Sequence, residues 1–245
     1  MCAKQCFLFT PITPIGKTLE TSYQNLMTIN DITLIRHGQA NTGARDERSY
    51  DMLSKTGHQQ AKWLGEYLKT NGDTFDRIIC GSLRRHQETA TGLNLPYDVQ
   101  IDPRVNEMRY FDLAEEFRLL TGTPVPESPA EFSTHLPQVF NAWHHGKLDS
   151  AHESYIAFAQ RFADVMSELK ALSGRSLVVT SGGVIGMAIV QHLALGPDGF
   201  ARVMLPINNS SMHRFQVCDD ETHLVSYNGT PHLDMADRLH ARTTI

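Results

Sequence analysis

Three short, β-branched apolar runs constrain this chain most. They are Asp31-Ile-Thr-Leu-Ile-Arg36, Asp76-Arg-Ile-Ile-Cys80 and Ser176-Leu-Val-Val-Thr180. Continuous apolar runs of this length, bounded by polar residues and glycine, read as strands buried on both faces. Helix-length amphipathic stretches separate them. Ser54 is a good N-cap for a helix reaching about Lys69, with Ala61, Leu64 and Leu68 on one face and Asn71-Gly72 at its end. Leu83 to Leu93 predicts a second helix. Ala151 to Leu172 predicts a long one, with Phe158, Phe162, Val165 and Leu169 on its apolar stripe and Gly174 closing it. Gly183 to Leu195 predicts another helix. Val99–Ile101 reads as a third short strand, and Arg202–Leu205, Ser211–Val217 and Leu224–Tyr227 as closing strands.

Strand alternating with helix implies an α/β fold: a three-layer α/β/α sandwich with a mostly parallel central sheet. From Arg109 to about Ser150 the period weakens, and Pro124, Pro126, Pro129 and Pro137 interrupt it. We read residues 109–150 as a helical cap inserted over one end of the sheet. Residues 1–30, with Pro11, Pro14 and Gly16 and no clear period, read as a flexible extension ahead of one domain spanning 31–245. Met27, just before the first strand, reads as an alternative start.

Composition narrows the function classes. Lys and Arg number 22 against 27 Asp and Glu, a formal charge of −5. Such a chain has no global attraction for nucleic acid or anionic membrane, so an anionic ligand requires a local cluster of cations. Cys2, Cys6, Cys80 and Cys218 form no CxxC pair and read as free thiols in a reducing compartment. The longest apolar run, Val184 to Leu195, contains Gln191 and His192 and falls short of the ~18 residues of a membrane span. A cytoplasmic, soluble protein is the expectation.

In sheets of this kind ligands bind beyond the carboxyl ends of the strands. Arg36-His37-Gly38 follows the first run, Gly81-Ser-Leu-Arg-Arg-His86 the second, and Ser181-Gly-Gly183 the third. Arginine forks fit phosphate or carboxylate at two points, and a helix start adds backbone N–H groups. Histidine among them is a candidate nucleophile or proton carrier.

These residues carry a resemblance. Leu34-Ile-Arg-His-Gly-Gln-Ala-Asn41 resembles the signature of the histidine phosphatase superfamily, which includes the cofactor-dependent phosphoglycerate mutases. Leu53 to Gly57 with Gln60-Ala61, Ser82 to Ala90, Val105-Asn-Glu107 and Ser181 to Ile185 resemble its later elements, in the same order. The resemblance covers roughly residues 31–228. It implies that His37 attacks phosphorus and becomes a phosphohistidine, and that Arg36 and Arg85 hold the phosphoryl oxygens. Asn41 would add a neutral hydrogen bond. Glu107 would protonate the leaving oxygen and then take a proton from water. No cofactor or metal is expected, because the arginines supply the positive charge.

One position departs from the pattern. Ser181 stands where the family usually has a histidine that donates to the phosphoryl group. Loss of a charge-assisted bond costs ~1.5–3 kcal/mol, on the order of 10–200-fold in rate. Three readings compete: serine does a weaker version of the same job or another donor such as His213 fills the space; the site binds phosphate with poor turnover; or position 181 was altered. The expected activity is phosphomonoester hydrolysis of a small phosphorylated metabolite. Mutase-type transfer and a catalytically impaired phospho-ligand-binding protein are the alternatives. The pair His144-His145 reads as a solvated face rather than a metal site, and Arg45, Arg48 and Lys55 either extend the positive surface or are ordinary loop charges. Oligomeric state stays open, with a homodimer as one option.

Overall fold

A computed structural model describes residues 30–44, 46–148, 153–218 and 221–244. The expected flexible extension therefore lies almost wholly outside the described residues, as do Met27, Cys2 and Cys6. Strand β1 (Asn30–Arg36) leads through α1 (Glu47–Tyr50) and α2 (Lys55–Thr70) to β2 (Arg77–Cys80). Helix α3 (Arg84–Leu93) and β3 (Val99–Ile101) follow, then α4 (Tyr110–Thr121), α5 (Pro129–His144) and α6 (Tyr155–Ala171). The chain closes with β4 (Gly174–Thr180), α7 (Gly182–His192), α8 (Pro197–Met204), β5 (Met212–Cys218) and β6 (Glu221–Gly229). The six strands form one sheet in the order β3-β2-β4-β1-β5-β6. Every pairing among β1 to β4 is parallel, and β5 runs against both its neighbours. Five strands thus point one way, which gives the expected mostly parallel α/β sheet.

Two-residue alternation along the strands divides the core. Ile32, Leu34, Ile79 and Val178 enter the larger cluster with Phe158, Phe162 and Val165 of α6 and Val184 and Ile185 of α7. Ile35, Ile78, Cys80, Leu177 and Val179 enter the other, with Leu64 and Leu68 of α2 and Ala90 and Leu93 of α3. Helices therefore cover both faces; β1 is buried along its length and β4 from Ser176 onward. Ser54 caps α2 through its hydroxyl, which accepts from Gly57 N at 3.1 Å. Cys80 is buried and its thiol is pushed up to about 11 by that burial. No helix among the described residues is long and apolar enough to cross a membrane.

Three expectations shift. Residues 202–205 lie in helix α8 and its end rather than in a strand. Pro197 sits in the first turn, where proline favours a helix start, and Phe200 stacks on Phe140 of α5 at 3.5 Å. Inside the cap, Pro137 does not end its helix; α5 runs 16 residues through it, started by a Ser128–Glu131 capping box. Gly174 opens β4 with φ 96° rather than closing α6, which ends at Ala171.

One buried amide ties the chain's distant parts together. Gln60, fully buried in α2, accepts from Gln39 N at 2.7 Å and donates to Ala241 O at 2.6 Å and Thr243 Oγ1 at 3.1 Å. The loop after His37 and the segment near residue 243 are thereby joined. Replacing Gln60 by Leu keeps the volume and strands these backbone groups, so stability falls by about 1–3 kcal/mol in urea titration; an unchanged midpoint would contradict the role of this amide.

Candidate active site

The site forms where β1, β2 and β4 end on one edge of the sheet. Register places Arg36 opposite Thr180, and His37 N donates to Thr180 O at 2.8 Å. His37 is 2% exposed. Its Nδ1 lies 2.7 Å from the Gly38 carbonyl, and only an N–H satisfies that contact. The neutral ring then carries its proton on Nδ1 and keeps the Nε2 lone pair for an electrophile. Burial, then the charges of Arg85 and Arg36, push its pKa well below the ordinary imidazole value. A neutral, nucleophilic imidazole is therefore the form present near pH 7.

Two guanidinium groups flank this ring, and both are buried. Arg36 donates through Nη1 to Ile207 O. Arg85, at the start of α3, donates through Nη1 to Asp51 Oδ1 at 3.1 Å, and its own backbone N–H reaches the same oxygen at 3.1 Å. Its guanidinium also stands over the Tyr50 ring at 5.1 Å. The Nε atoms of Arg36 and Arg85 have no protein partner. Buried N–H donors without an acceptor are costly, and an oxyanion between the arginines would supply one. Arg84, by contrast, is largely exposed and pairs with Glu88 at 2.6 Å.

Glu107 follows the turn at Pro103–Val105. Its Oε2 accepts from Gly183 N at 2.8 Å, in the first turn of α7, and its Oε1 from Met108 N at 3.1 Å. Burial pushes the Glu107 pKa up; the Gly183 N–H, Arg85, the Met108 N–H and Arg36 oppose that rise. The close approach requires a residue without a side chain, because a β-carbon on Gly183 would overlap the carboxylate.

Two of the sequence-derived candidates sit differently. Asn41 lines the cavity, yet its amide donates to Ser49 O at 2.9 Å and its oxygen receives Gly43 N at 3.4 Å. Ser181 is fully buried at the N-cap of α7, makes no capping bond, and lies 2.6 Å from His86 Nε2. His213 does not fill the space beside it. That ring bonds Ser211 Oγ at 3.0 Å and receives Asn228 N at 3.3 Å, with its pKa pushed down to about 3 by burial. Sequence reasoning missed Asp51, Tyr50 and Glu47. These lie in the polar stretch before α2, where no spacing marks them. His86 was marked only by adjacency to Arg85 at a helix start.

A cavity of about 210 Å³ opens on His37, Arg36, Arg85 and Glu107. Tyr110, Phe111, Phe132 and Leu136 of the cap form its outer wall with Met204 and Leu205, and Glu47 and Glu127 add carboxylates. Glu47 has its pKa raised by burial. Among the described residues no group of three His, Cys, Asp or Glu side chains is arranged to hold a metal ion.

A model of the histidine phosphatase superfamily (branch 1) matches residues 32–230. The mitochondrial serine/threonine-protein phosphatase Pgam5 of Drosophila willistoni is 28% identical over 187 residues, 74% of this chain and 56% of that protein. The chain thus spans about half the length of these curated relatives. The adenosylcobalamin/alpha-ribazole phosphatase of Escherichia coli is 30% identical over 171 residues, 66% of this chain and 78% of that protein. A phosphoserine phosphatase mutant from Entamoeba histolytica, solved with phosphoserine, shares the fold with TM-score 0.62 and 22% identity, over 83% of this chain and 98% of that one. With strand ends, motif order and family model in agreement, the chain belongs to branch 1 of the histidine phosphatase superfamily.

Proposed function

We propose that this chain hydrolyses small phosphomonoesters through a phosphohistidine at His37. The observation that carries the reading is a buried imidazole, its Nδ1 committed to Gly38 O, flanked by two guanidinium groups with partnerless Nε atoms. In the first step His37 Nε2 attacks phosphorus, the bond from phosphorus to the ester oxygen breaks, and Glu107 gives its proton to that oxygen. In the second, water attacks phosphorus, the P–N bond breaks, and Glu107 takes the proton of the water. Arg36 and Arg85 neutralise the equatorial oxygens throughout. Asn41 holds the loop beside the phosphoryl group through Ser49, and its remaining amide N–H is available to an oxygen there.

Hydrolysis is favoured over phosphoglycerate-type transfer by the cavity wall. A mutase must hold a second anionic group of its substrate. Here the outer wall is aromatic and aliphatic, with the Glu47 and Glu127 carboxylates, and among the described lining residues the cations are Arg36 and Arg85. Such a wall suits an ester whose alcohol is apolar or aromatic. The names of the Pgam5 and alpha-ribazole phosphatase relatives point to the same reaction type.

Three variants test the reading. Alanine at position 37 removes both turnover and the acid-labile, base-stable phosphoprotein formed from a labelled aryl phosphate; persistence of that adduct would reject the reading. Glu107→Gln lowers kcat/KM, which reports the first step alone, by roughly 10²–10⁴-fold for alkyl phosphates, and by much less for p-nitrophenyl phosphate, whose leaving group needs no proton. The alkaline limb of kcat/KM against pH for alkyl phosphates, set by loss of the Glu107 proton and raised from the ordinary carboxylate value by burial, disappears in the same variant. Phe132→Ala raises KM for phenyl phosphate and leaves that for 3-phosphoglycerate unchanged, as steady-state kinetics on the two substrates would show.

A further inference from the structure

His86 is a buried titratable group beside His37 that the two-step scheme above leaves unused. It lies in the first turn of α3, one residue beyond Arg85, and is fully buried. Its ring centroid is 5.6 Å from that of His37. One edge of the ring presses on Gly81, where a β-carbon would overlap Nδ1 and Cε1. The opposite nitrogen, Nε2, meets Ser181 Oγ at 2.6 Å. Nδ1 has no partner.

These contacts assign the proton. Burial and the neighbouring Arg85 hold the ring neutral, so it carries one N–H. On Nδ1 that N–H would be a buried donor facing Gly81 with no acceptor, the rarer and costlier kind of orphan. On Nε2 it donates to Ser181 Oγ and leaves only a bare lone pair unpaired. The network therefore favours the Nε2–H tautomer. Ser181 Oγ is then an acceptor toward His86, and its own hydrogen is free to point elsewhere.

Position decides where that hydrogen can go. Ser181 follows Thr180 as His37 follows Arg36, on adjoining parallel strands that pair in register and lie about 4.8 Å apart. The hydroxyl does not cap α7. Arg36 Nε lies close to Gly182, the next residue along. The serine thus occupies the layer bounded by His37, Arg36 and His86. We propose that His86 and Ser181 act as one donor: His86 Nε2–H holds the serine oxygen, and the serine O–H is presented to the phosphoryl oxygens at His37. Ser181 is the group that touches the phosphoryl unit, and His86 is a positioning residue acting through it. The inference rests on the phosphohistidine reading and assigns that site a further donor.

The test compares wild type, Ser181→Ala, His86→Leu, the double variant and His86→Gln. Turnover of p-nitrophenyl phosphate and the affinities for orthovanadate and inorganic phosphate are measured for each. Each single variant that removes the donor lowers kcat by roughly 10- to 100-fold, with KM little changed. The double variant is no slower than the slower single one, because both remove one unit. His86→Gln recovers most of the rate, since its amide N–H takes the place of Nε2–H. Orthovanadate, which resembles the five-coordinate phosphorus, loses affinity in step with kcat, and inorganic phosphate loses less.

A Ser181→Ala enzyme within about twofold of wild type in kcat and orthovanadate affinity overturns the proposal, as does full additivity of the two losses. Should His86→Leu not fold, Ser181→Ala and His86→Gln carry the same comparison. Should wild type show no turnover that His37→Ala removes, the hydrolase reading fails instead, and orthovanadate affinity alone decides the donor pair.

Discussion

The parallel pairing of β1 with β4 governs the rest of the molecule. Seven successive residue pairs hold the two strands in register, from Asn30 against Gly174 to Arg36 against Thr180. A slip of one residue would turn every side chain of β1 to the opposite face. Leu34 and Ile35 would exchange the two cores they now enter, and Arg36 would turn away from the candidate site. Because both strands run the same way, the residues just past their ends meet by construction. His37 and Ser181 are neighbours although 144 positions separate them in sequence. Helices α3 and α7 begin at the same edge, so Arg85 and the amide of Gly183 arrive there as well.

Charge is then concentrated where water is scarce. Two buried guanidinium groups repel each other and raise the cost of protonating His37. Asp51 and the Ile207 carbonyl compensate only part of each arginine. What remains is a concentration of positive charge that, on the proposed reading, a doubly charged anion would balance. The donors would then be preorganised, fixed by strand ends and helix starts rather than recruited when a substrate arrives.

The sheet was legible because its signal is periodic. Apolar runs at β1, β2 and β4 and the faces of α2 and α6 follow from residue spacing alone. The Arg202–Leu205 segment was misread because Val203 and Leu205 suit a strand locally, whereas Phe200 stacking on Phe140 is a tertiary contact with no local trace. Pro137 was given too much weight: a proline removes one helical bond, and the capping box at Ser128 together with buried Leu136, Val139 and Phe140 outweighs that loss. In the candidate site, His37, Arg36, Arg85, Glu107 and Ser181 all carry motif neighbours. Asp51, Glu47 and Tyr50 act through geometry that only the folded loop creates. His213, which the sequence offered as one alternative donor beside Ser181, is directed by β5 to Ser211 and the Asn228 amide, whereas α3 delivers His86 to Ser181.

The Gln60 amide has a consequence for the far wall of the cavity. Thr244 belongs to that wall, and the neighbouring Thr243 is tied through Gln60 to the loop that follows His37. Strand ends and helix starts alone bring His37, Arg36 and Arg85 together, but the chamber around them is closed only with the segment around residue 243 in place. Enclosure of the candidate site therefore depends on an amide 183 positions away from the hydroxyl it holds.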